Sequence, residues 1–140
     1  MEVFMEQAWN WIRGAITALG GILGWVLGAM NGVMYALIAF VVIDYITGVI
    51  AAAVQKRLNS TVGFKGIAKK LGIFILVALG HIIDAQILGD GDALRTAVIF
   101  FYLSNEGLSI IENAVAMGLP VPEALKNALA HLDKENKSHD

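Results

Sequence analysis

The chain has 140 residues, enough for one domain, with a formal net charge of −2 and no cysteine. Apolar residues make up 57% and charged residues only 16%, too little polar surface for a water-soluble domain of this size. These numbers exclude disulfides, thiol chemistry, cysteine metal sites and a broadly basic nucleic-acid binder, and a mean hydropathy of +0.68 points to an integral membrane protein.

The N-terminus, MEVFMEQAWNW, carries Glu2 and Glu6 ahead of Arg13. That is not the positive start of a cleaved signal, so the membrane segments are expected to direct their own insertion. The first predicted helix covers about residues 2–31. Polar or small residues recur at helical steps from Glu2 through Asn10 and Thr17 to Asn31, leaving one face polar at first and small later. Gly20, Gly24, Gly28 and Gly32 overlap as G-x-x-x-G motifs. That spacing lets two helix backbones meet closely in lipid, within the chain or between copies. The competing reading is a flexible, weakly helical segment. The apolar part is about 17 residues, the lower limit for a span, with Trp9, Trp11 and Trp25 suited to interfacial anchoring. This helix either spans or lies on the surface.

Asn31-Gly32 is the expected break. Residues 33–54 then make a full span of about 22 residues, near 33 Å long, with Asp44 close to its middle. Thr47 and Gly48 share the Asp44 face, and Gly48 is a second candidate for close packing. A polar hairpin is predicted over 55–66, where Asn59-Ser60-Thr61 supplies turn and cap chemistry. The third span is predicted over 67–88, with Lys69 and Lys70 snorkelling at its start and His81 and Asp84 on one face near its end. Gly89-Asp90-Gly91-Asp92 reads as a tight turn, with Asp92 as the next N-cap.

The last span, about 93–117, is the most polar. Arg95, Tyr102, Glu106, Ser109 and Asn113 lie near one stripe, with Glu112 beside it. Gly118, Pro120 and Pro122 stop it. The expected fold is therefore all-α, an integral membrane protein of three to four transmembrane helices. Residues 1–122 form the membrane domain. Residues 123–140 form a cytoplasmic tail that starts as a short amphipathic helix, with Leu125, Leu129 and Leu132, and ends as a charged string.

Five cations, Lys56, Arg57, Lys65, Lys69 and Lys70, cluster in the 55–70 segment, and the 89–92 turn carries none. The hairpin is thus expected on the cytoplasmic side, against anionic inner-leaflet lipids. Matching by depth pairs Asp84 with Arg95 on the outer side, and Lys69 or Lys70 with Glu112 on the inner side. Asp44 and Glu106 are left near the midplane without a cation. Carboxylates there must be neutral, hydrogen-bonded or facing water. Three readings stay open: acids joining two helices, a lining for an aqueous path in a homo-oligomer, and a proton relay.

Enzymatic motifs are missing. His81, His131 and His139 are too scattered for a metal site, and no phosphate loop or nucleophile constellation is present. No catalytic residue, cofactor or metal is expected. Phe64 is the only aromatic in the basic hairpin, so nucleic acid is not an expected partner.

Two blocks of the chain resemble the bacteriophage holin family, which includes small phage lysis holins and clostridial toxin-release holins. The first holds Asp44, Thr47-Gly48, Ala52, Lys56-Arg57, Asn59-Ser60, Gly63, Gly66 and Lys69-Lys70. The second runs from Glu106 through Ser109, Glu112 and Asn113 to Gly118-Leu-Pro120-Val-Pro122 and on to Leu125-Lys126. Together they cover about residues 35–130, and the first 30 residues carry no family pattern. The resemblance implies a multi-pass protein of the bacterial cytoplasmic membrane. Such a protein accumulates, then assembles into a hole that passes an endolysin, or in relatives helps release a toxin. The endolysin is cargo rather than a tight binder. An antiholin that restrains a partner holin, a small ion channel or transporter using Asp44 and Glu106, and a plain membrane scaffold are the alternatives.

Overall fold

The structure, a computed structural model, describes residues 1–138. His139, and with it the end of the charged tail, lies outside them. The described chain is helical throughout: α1 (Glu2–Leu27), α2 (Gly32–Val54), α3 (Ser60–Ile82) continued by a π-helical turn (Ile83–Leu88), α4 (Ala93–Ala116) and α5 (Glu123–Ser138).

The breaks follow local chemistry. α1 ends at Leu27, a turn earlier than predicted, because Gly28 adopts φ +82°, where only glycine is unstrained. Asn31 then caps α2 by accepting a hydrogen bond from the Met34 N–H, and Asn59 caps α3 in the same way through Val62 N–H. That second cap places the start of α3 at Ser60 rather than 67, so the hairpin shrinks to residues 55–59. Lys56, at φ 56°, closes α2 with its own N–H on Ala53 O and the Arg57 N–H on Ala52 O, a Schellman pattern. Gly118, at φ 83°, ends α4 with the equivalent pair of bonds to Val115 and Ala114.

α2, α3 and α4 form the bundle. α2 packs most extensively on α4, which also meets α3 and α5, while α1 packs along α3 and touches α4 through Arg95 at its end. The core is Met34, Leu37 and Val41 of α2, Ile73 and Val77 of α3, and Ile99 and Leu103 of α4. On α2 this stripe steps by three and four residues and continues to Asp44. On α3 it begins at Lys70 and continues through Gly80 to Asp84. On α4 it runs from Arg95 to Glu106. The apolar core is therefore bounded by a charged layer at each end.

Two helices are long and apolar enough to cross a bilayer, Gly32–Val54 and Ser60–Leu88. α1, with Glu2, Glu6 and Arg13, and α4, with Arg95, Glu106 and Glu112, fall outside that class. α1 buries none of its residues. α5 docks through Leu129, whose methyls sit in a notch at Gly107 beside Phe40; a Cβ on Gly107 would stand 2.6 Å from Leu129 Cδ2.

Candidate functional site

The charged layer at the end bearing the α2–α3 turn takes one residue from each bundle helix. Asp44 lies ten residues before Val54, Lys70 ten after Ser60 and Glu106 ten before Ala116. At the helical rise each is about 15 Å from the end of its helix, so the three meet at one level. The Lys70 ammonium donates to Asp44 Oδ2 and to Glu106 Oε2, forming an ion pair with each. Asp44 and Glu106 are buried, and the Lys70 side chain is 17% exposed.

Asn113 completes the layer. Its Nδ2 donates to Asp44 Oδ1 at 2.9 Å and to Thr47 Oγ1 at 3.0 Å. The Thr47 hydroxyl donates back to Ile43 O at 2.8 Å, an ordinary use for a helical threonine. Gly48 leaves room for the amide: a Cβ there would lie 3.5 Å from Asn113 Nδ2. Ser109 stands beside Asp44 on the wall of an open cleft of about 810 Å³. The cleft is also lined by Tyr45 of α2, which rests on α3. Its ring lies over Gly66, and its hydroxyl over Gly63, 3.2 and 3.6 Å from where their Cβ atoms would be.

These placements revise the expected pairing. Asp44 and Glu106 have a cation, and it is Lys70. Neither Lys70 nor Lys69 pairs with Glu112 among the described residues; Lys69 and Glu112 are exposed on the cleft rim. Lys56, Arg57 and Lys65 are exposed around the turn, where Arg57 bonds Gln55.

At the other end, Asp84 and Arg95 are each 1% exposed, yet they form no ion pair. Asp84 instead caps α4 from another helix. Its Oδ1 accepts from Leu94 N–H at 3.1 Å and its Oδ2 from Arg95 N–H at 2.9 Å. Asp92, expected to cap, contributes no side-chain bond. The Arg95 guanidinium turns away, donating from Nε to Leu27 O at 2.7 Å and from Nη2 to Ala29 O. It thus holds the carbonyl end of α1. Gly28 makes this possible, since a Cβ there would meet His81 Nδ1 at 2.7 Å and Arg95 Nε at 2.9 Å. Gly80 lets α3 touch the α4 backbone, 3.1 Å from Arg95 N to its would-be Cβ. The rest of the glycine run is unused inside the chain: nothing lies within 4 Å of a Cβ at Gly20, Gly24 or Gly32.

No cluster of three or more metal-ligating side chains occurs among the described residues. The arrangement is a charged layer shared by three helices and bordering a cleft.

The profile of the bacteriophage holin family matches residues 21–134, a stretch containing both charged layers. This chain belongs to the bacteriophage holin family. An uncharacterised Listeria monocytogenes protein is 45% identical over 92% of this chain and 94% of its own length. An uncharacterised Clostridium perfringens protein is 39% identical over 94% of this chain and 99% of its own. A protein of Bacillus phage phi105 named as a probable holin is 36% identical over 68% of this chain and 70% of its own. No solved structure matches. Holin membership and the two apolar helices make this a membrane protein, and the family is non-enzymatic in character.

Proposed function

We propose that the chain is a working holin, which oligomerises in the bacterial cytoplasmic membrane and opens a lesion through which an endolysin leaves. The observation that carries this reading is the Asp44–Lys70–Glu106 layer in a chain of the holin family. Three ionic side chains inside a bundle are costly when surrounded by lipid. Held on one another in the compact chain, they are satisfied. Where copies assemble around water the same side chains are hydrated, so a hydrated assembly competes with the closed bundle. A purely apolar layer would favour the closed bundle alone.

In this reading α2 and α3 span, α4 spans beside them with its charged residues turned inward or toward water, and α1 spans or lies at the interface. The basic turn at 55–59 faces the cytoplasm, as does α5. The unused glycine stripe of α1, at Gly20 and Gly24, packs against another copy. An antiholin could restrain the assembly as a further partner.

Co-expression with a cytoplasmic muralytic enzyme that lacks a signal tests the proposal. Abrupt lysis after a delay is expected. Growth that continues, with membrane potential intact and the protein present in the membrane, refutes it. Within the same assay, Asp44→Asn combined with Glu106→Gln shifts the lysis time. Unchanged timing at equal protein level removes the acids from the mechanism.

A further inference from the structure

The cleft beside Lys70 has features that the lesion reading does not use. Its walls are apolar, with Val49 of α2, Leu58 of the α2–α3 turn, and Val62, Ile73 and Leu76 of α3. Its rim is polar, and at about 810 Å³ it falls within the size range of small-molecule sites. Leu58 and the last turns of α4 mark its mouth at the basic end of the bundle. From there α3 runs uncharged from Leu71 to His81. The cleft therefore crosses the boundary between a polar and an apolar surround, which suits an amphiphile.

The charges decide which amphiphile. Five charged residues line the cleft: Lys69, Lys70, Asp44, Glu106 and Glu112. Lys70 is consumed by Asp44 and Glu106. Lys69 and Glu112 make no ion pair among the described residues, and both are exposed at the rim. An anionic headgroup would meet one free cation near three carboxylates. A headgroup carrying a phosphate and a primary ammonium meets one partner for each charge.

We propose that this cleft is a binding site for a zwitterionic phospholipid of the phosphatidylethanolamine type. Its phosphate lies on Lys69, its ammonium on Glu112, and an acyl chain lies along the α2–α3 wall. The expected attraction of the hairpin to anionic lipids then concerns Lys56, Arg57 and Lys65, outside the cleft. The site rests on membrane residence and not on lesion formation, so a failed lysis assay leaves it standing.

The test is native mass spectrometry of the full chain in mild detergent, titrated separately with phosphatidylethanolamine, phosphatidylglycerol and phosphatidylcholine. Phosphatidylethanolamine is expected to bind about tenfold more tightly than phosphatidylglycerol, the scale of one charge-assisted hydrogen bond. Phosphatidylcholine, whose ammonium has no N–H, falls between them. Glu112→Gln removes the preference and Lys69→Ala weakens the binding of all three lipids, while Lys69→Arg and Glu112→Asp keep the wild-type pattern, with helicity checked by circular dichroism. Equal or tighter binding of phosphatidylglycerol overturns the proposal. So does a preference that survives Glu112→Gln, phospholipid binding that is unchanged by Lys69→Ala, or a lipid-free dimer that excludes the lipid. The wild-type comparison decides even if a variant fails to fold.

Discussion

The two charged layers bound the same apolar core and are built on opposite principles. At the basic end, Lys70 joins Asp44 and Glu106, so side chain meets side chain and three helices share one cation. At the far end, the side chains of Asp84 and Arg95 form no ion pair and bind backbone instead: one caps α4, the other holds the Leu27 and Ala29 carbonyls where α1 ends. A side-chain layer can exchange its partners for water when the helices part. A backbone layer has groups that the helices present in any case, and water must replace them at fixed positions. The first suits a device that opens, the second a fixed joint.

Breaking the shared cation should have the largest effect. Lys70→Met leaves two carboxylates in the bundle, and removing one partner of a buried pair costs about 3–5 kcal/mol. Thermal unfolding in detergent should show it. The triple variant Lys70→Met, Asp44→Asn, Glu106→Gln should recover most of the loss, because the layer then carries no charge. Failure of that rescue would mean that the layer is held by shape rather than charge.

Arg95→Met comes next. It strips two donors from the Leu27 and Ala29 carbonyls, a loss of about 2–3 kcal/mol for charge-assisted bonds. Limited proteolysis should then cut faster between α1 and α2, and no substitution at Asp84 should rescue it. Rescue would show that the two residues act as a pair after all. Asp84→Ala removes an N-cap, worth about 1–2 kcal/mol, and should raise hydrogen exchange at Leu94 and Arg95. Gly24→Ala should have the smallest effect on the isolated chain. Nothing surrounds the added methyl, and helix propensity favours it by up to about 1 kcal/mol. If the stripe packs between copies, the same change lowers cross-linking yield while leaving unfolding alone.

Much of the architecture was legible in the sequence. Two apolar runs of span length, the break at Asn31-Gly32, and Gly118 before two prolines are local signals with local causes. The charged stripes were legible too, since Arg95 and Glu106 recur on one helix face. Their partners were not. A polar segment from Ser60 to Gly66 reads as loop, which sets Lys70 near the surface and within reach of Glu112. In the fold that segment is helix, capped by Asn59, with Gly63 and Gly66 covered by Tyr45, and Lys70 sits three helical turns from its start. No periodicity announces that Tyr45 and two glycines fit together.

The sequence by itself determined that the chain is all-helical, apolar enough for a bilayer, and charged at spaced points along its helices, because these depend on residue type and spacing along one strand of chain. Only the tertiary structure decided which charges meet. Pairing depends on how far each helix begins before its charged residue. A shift of a few residues in one boundary moves a side chain by about 1.5 Å per residue and hands it a different partner. The same holds for Gly80, which looks like any small residue until a neighbouring helix comes within contact of it.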